Sequence, residues 1–120
     1  MKYLVGFNES KESLYKEITQ DEYSSSNENI GSDPWYQSEI HKVINIILNV
    51  NRHLWYKHND YGHHLKIEYD KNIPNIFASF ILKLKDDWFI VWMKNSNKFY
   101  KCDGMDGLLL FIQENKELWK

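Results

Sequence analysis

The stretch from His64 to Ile112 constrains the fold of this chain most, because the spacing of its apolar residues changes period once, at a single place. Leu65, Ile67 and Tyr69 alternate with Lys66 and Glu68, and Ile76, Ala78, Phe80, Leu82 and Leu84 carry a longer alternation. Trp88 to Met93 is apolar at every position, and Lys98 to Cys102 follows a polar turn. A period of two sends alternate side chains to opposite faces of a sheet, so these segments are strands. From Met105 the pattern becomes Met105, Leu108, Leu109 and Ile112, the i, i+3, i+4, i+7 stripe of a helix. The unit is a meander of strands closed by an amphipathic helix, with Leu109 and Ile112 expected to be buried on the sheet.

The N-terminal half adds elements of both kinds. Tyr3, Val5 and Phe7 alternate, then Leu14, Lys16 and Ile18, which predicts a hairpin across Asn8–Ser13. Thr19-Gln-Asp-Glu22 has the spacing of a capping box and predicts a short helix through Tyr23, ending before the loop of Ser24 to Ser32. Asp33-Pro34 is a helix start, since Asp accepts from first-turn amides and Pro suits the first helical position. Ile40, Val43, Ile44, Ile47 and Leu48 line one face of the helix that follows, expected from Pro34 to about Trp55. Tyr56 to His63 reads as a polar turn. The expectation is one α+β domain over residues 1–120: an antiparallel meander of about five or six strands with two main helices packed on one face.

Charge and cysteine usage exclude several classes of function. The net charge is -2, and the basic residues are fourteen lysines and one arginine, Arg52. Specific DNA readers rely on arginine forks that an ammonium cannot imitate, so a nucleic-acid partner is disfavoured. One cysteine, Cys102, forms no internal disulfide and suits a reducing compartment. The apolar run in MKYLVGFNES is too short for a signal-peptide core, and no run approaches the ~18 residues that span a bilayer. A small soluble protein of the cytoplasm, in the producing or a host cell and without a membrane partner, is expected. Asn, Ile, Lys and Tyr supply 46 of the 120 residues. Their codons are AT-rich, which points to an AT-rich genome and admits a viral or phage accessory protein.

No motif in the chain assembles catalytic chemistry. His53, His58 and His63 are spaced by five, with Asp60 and His64 nearby, and imidazoles take divalent metals readily. They lack the i, i+4 pairing of a helical metal site, and a His-rich polar turn accounts for them. Cys102 precedes a helix start, yet Asp103 and Asp106 beside it raise rather than lower a thiol pKa. The pairs Asp21/Glu22, Asp86/Asp87 and Asp103/Asp106 sit at turns or caps, where carboxylates already have a local role. No glycine-rich phosphate loop exists, and no cofactor is implied.

The aromatic surplus is what remains. Trp88-Phe-Ile-Val-Trp92 is apolar on both faces, as in a central strand covered on both sides. Trp35, Tyr36, Trp55, Tyr56 and Tyr61 fall at the two expected ends of the long helix, and exposed Trp and Tyr anchor protein interfaces. The expected function is therefore a non-enzymatic protein-interaction module, an inhibitor, adaptor or accessory factor, with those five residues as partner contacts. The alternative is a single-stranded nucleic-acid binder that uses lysines and aromatics. A metal-dependent enzyme at His53–His64 comes third.

Overall fold

The alternating segments pair in the order in which they occur, each antiparallel to the next. A computed structural model describes residues 14–28, 35–58 and 64–120. Within them the order is β1 (Tyr15–Ile18), α1 (Gln20–Glu28), α2 (Gln37–Val50), β2 (Leu54–His58), β3 (His64–Tyr69), β4 (Ala78–Lys83), β5 (Trp88–Met93), β6 (Lys98–Asp103) and α3 (Gly104–Glu114). Short 3-10 turns cover Lys85–Asp87 and Lys116–Trp119. The sheet is six-stranded and antiparallel in the order β1-β6-β5-β4-β3-β2, an α+β fold as expected.

The main core lies between one face of the sheet and helices α2 and α3. Ile40, Val43, Ile44 and Ile47 of α2 and Leu108, Phe111 and Ile112 of α3 pack against Leu65, Ile67, Ile81, Phe89, Val91 and Cys102 of the sheet. Trp119, from the last turn, is buried in the same cluster. Among the described residues the second face is covered only in part. There Tyr23 of α1 packs with Ile18, Leu82, Ile90 and Phe99.

Several elements differ from the sequence expectation. The expected strand Tyr3–Phe7 and the Asp33-Pro34 cap lie outside the described residues. Helix α2 is shorter than 34–55 at both ends, and Leu54–His58 is a strand. Asn51 stops the helix. Its Nδ2 donates to Tyr69 Oη and the Trp119 carbonyl, its Oδ1 accepts from His53 N–H, and the chain then turns so that Leu54 is buried. Helix α1 runs past Tyr23 through the serines to Glu28. The capping box is formed, Thr19 Oγ1 accepting from Glu22 N–H and Glu22 Oε1 accepting from Thr19 N–H. Serine lowers helix propensity by only a few tenths of a kcal/mol, and a buried Tyr23 anchor outweighs that. Strand β4 begins at Ala78, leaving Ile76 90% exposed, because Asn75 Oδ1 accepts from Phe77 N–H and holds the chain in a turn there. Helix α3 buries Gly107, Leu108, Phe111 and Ile112, so Leu109 lies at the margin of the core.

Candidate ligand-binding site

Antiparallel register lines up one residue from every strand on the second face. Ile18 pairs with Phe99, Phe99 with Trp92, Trp92 with Phe80, Phe80 with Lys66, and Lys66 with Lys57. The row is apolar at the β1 end, aromatic in the middle and cationic at the β2 end. Cross-strand partners stand about 4.5–5.5 Å apart at Cβ, close enough for rings to stack. The Trp92 ring lies 5.3 Å from Phe80 at an interplanar angle of 24° and 6.0 Å from Phe99 at 11°. These are offset stacks, the arrangement that ring quadrupoles favour. Tyr23 covers one end of the stack, 4.8 Å from the Phe99 ring and 6.3 Å from that of Trp92.

The cationic end is less comfortable. Like charges placed directly opposite each other destabilise a strand pair, and Lys57 faces Lys66. Glu68 compensates them in part, its carboxylate lying 3.0 Å from Lys57 Nζ and 3.4 Å from Lys66 Nζ. Burial pushes the Glu68 carboxyl up, but the bonds from the two lysines and their charges outweigh it, leaving its pKa below the ordinary carboxylate value. Lys66 Nζ also stands 5.7 Å from the centroid of the Phe80 ring.

Between the two ends lies a hollow of about 880 Å³, with Tyr23, Phe80 and Trp92 on its apolar side and Lys57, Lys66, His58 and His64 on its basic side. That volume is within the usual span of small-molecule sites.

The residues expected from sequence to form the contact surface do not come together. Trp35 is 5% exposed and packs 5.2 Å from Phe89, so it is a core residue and not a surface anchor. Tyr36 is 61% exposed at the start of α2, beneath the Lys83 ammonium. Trp55 is 53% exposed on edge strand β2, beyond the other end of the same helix, with the half-buried Tyr56 ring 5.3 Å away. Tyr61 lies outside the described residues. Of the metal candidates, His53 is exposed in the turn before β2, His58 lines the hollow, and His63 lies outside the described residues. Among the described residues, no three His, Cys, Asp or Glu side chains converge as a metal site. Cys102 is buried, and burial pushes its thiol pKa up.

Phe80, Trp92, Lys57 and Lys66 are absent from that expected set. Alternation assigns Phe80 and Lys66 to faces of their own strands, but only the register between strands places them in one row. Register depends on loop geometry that periodicity does not contain. No family model matches the chain, and neither a curated protein nor a solved structure does. Among the described residues no helix is long and apolar enough to cross a membrane.

Proposed function

We propose that this chain is a non-catalytic binding domain that receives a negatively charged group in the hollow on the second face of the sheet. One observation carries this reading: the stacked rings of Phe99, Trp92 and Phe80 run directly into the paired ammonium groups of Lys66 and Lys57. Two facing lysines weaken the strand pair on their own, and an anion bridging them removes the repulsion. The residues around the hollow offer donors and apolar surface, and the Glu68 carboxylate is engaged with the lysines. A buried thiol and the chain's balanced charge support a cytoplasmic setting.

The test uses the aromatic sulfonate 1-anilinonaphthalene-8-sulfonate, which joins an apolar ring system to a fixed anion. The native chain should bind one equivalent, Lys66→Glu should weaken binding by about tenfold or more, and Lys94→Glu, in the exposed β5–β6 turn, should leave it unchanged. Binding indifferent to Lys66→Glu, or none at all, would remove the hollow as a binding site.

Exposed Trp55 on edge strand β2 favours a second reading, docking of another protein along that edge. Trp55→Ala should then abolish capture of that protein while leaving sulfonate binding intact.

A further inference from the structure

We infer that the hollow takes a nucleoside monophosphate, its base stacked on Phe80 and its phosphate held by Lys57 and Lys66. This rests on the hollow being a binding site, and it names the chemical class of what is bound.

The stacking order selects a planar ring as one half of the ligand. Trp92 has a ring on either side, Phe80 and Phe99, and Tyr23 covers the Phe99 end. Among the described residues Phe80 is the last ring of the stack. Its neighbour in the row is Lys66, whose ammonium stands 5.7 Å from the ring centroid, a distance at which the cation–π attraction is weak. A planar base entering there extends the stack by one ring and moves the Lys66 ammonium from a weak ring contact to an oxyanion.

Donor chemistry selects the other half. Lys57 and Lys66 are donors only and can be satisfied only by acceptors. A phosphate monoester carries three strong acceptor oxygens and close to two negative charges at neutral pH. Glu68 offsets only one of the two ammonium charges, which leaves the cluster with a net positive charge for an anion to neutralise. The size of the hollow and the number of its cations favour one nucleotide over a strand. A single-stranded nucleic acid needs a cationic groove along several phosphates, whereas this row supplies two lysines in a chain of net charge -2.

The test is a calorimetric titration of the native chain with adenosine monophosphate, adenosine, inorganic phosphate and a ten-nucleotide oligothymidylate. Adenosine monophosphate should bind at one equivalent, and adenosine and phosphate each at least about tenfold more weakly, since each lacks half of the contacts. Lys57→Ala and Lys66→Ala should each weaken it about tenfold. Glu68→Gln should tighten it several-fold by releasing both ammonium groups, a gain that a merely structural Glu68 would not yield. Phosphate binding as tightly as the nucleotide would overturn the inference, because the ring would then contribute nothing. So would an oligonucleotide that binds more tightly than the monophosphate with a salt slope steeper than about -2, which requires more than two phosphate contacts. If the sulfonate binds at Lys66 and the nucleotide does not, this inference falls and the binding-domain reading stands. If neither binds, both fall.

Discussion

A Cβ at position 107 would collide with the backbone carbonyl oxygen of Leu14, and that carbonyl is fixed because it also accepts from Asp103 N–H at 2.8 Å. Gly107 is therefore what lets α3 approach β1, although alanine is the better helix former by about 1 kcal/mol. Gly107→Ala should destabilise the chain by about 1–3 kcal/mol through overpacking, measured by chemical denaturation; a variant as stable as the parent would contradict the close approach. At the other end of the core Lys83 is almost fully buried, 2.9 Å from Glu39, which also accepts from Tyr36 N–H at the start of α2. Glu39→Ala removes a carboxylate from a buried ammonium and an acceptor from the helix start. Glu39 is itself partly exposed, so a loss of ~1–3 kcal/mol is expected, the range for taking a hydrogen-bond partner from a buried polar group. Cys102, buried and with its thiol pKa raised, should resist alkylation at neutral pH until the chain unfolds.

Among the elements, α3 separates what periodicity carries from what packing decides. The stripe Met105, Leu108, Leu109, Ile112 correctly announces the helix, and Leu108 and Ile112 are buried. The buried face is centred on Leu108 and Phe111 because the absent side chain of Gly107 draws that side toward β1. Leu108→Ala should therefore cost ~2–5 kcal/mol, as for an emptied core site, and Leu109→Ala clearly less; equal losses would return Leu109 to the core. Strand β2 escaped the sequence because Leu54 and Trp55 extend the apolar helical pattern of α2, and only the Asn51 turn and pairing with β3 separate them. Helix α1 tests the second face. Tyr23 titrates near pH 10 when unfolded, and burial pushes it up to about 12 in the fold. The neutral phenol is favoured by the fold, so its contribution is complete below pH 10 and is lost as pH rises toward 12. Tyr23→Phe should flatten the fall in stability over that window, and an unchanged slope would detach Tyr23 from the buried cluster.

For the molecule as a whole, the sheet and its helical face were legible because each depends on periodicity within a segment. The row from Ile18 to Lys57 was not, since it exists only after six strands take one register. Trp35 and Trp55 looked alike in sequence, both flanking a helix, and the fold buries one and exposes the other. The five tryptophans now report on different places: Trp35 and Trp119 lie in the helical-face core, Trp55 on the edge, Trp88 under Lys101, and Trp92 in the stack. Their indole N–H signals in a nitrogen-15 correlation spectrum therefore locate a ligand directly. On titration with adenosine monophosphate the Trp92 signal should move most and saturate at one equivalent, while those of Trp35 and Trp119 stay in place. A shift confined to Trp55, or five unmoved signals at saturating nucleotide, would contradict a nucleotide site on the second face of the sheet.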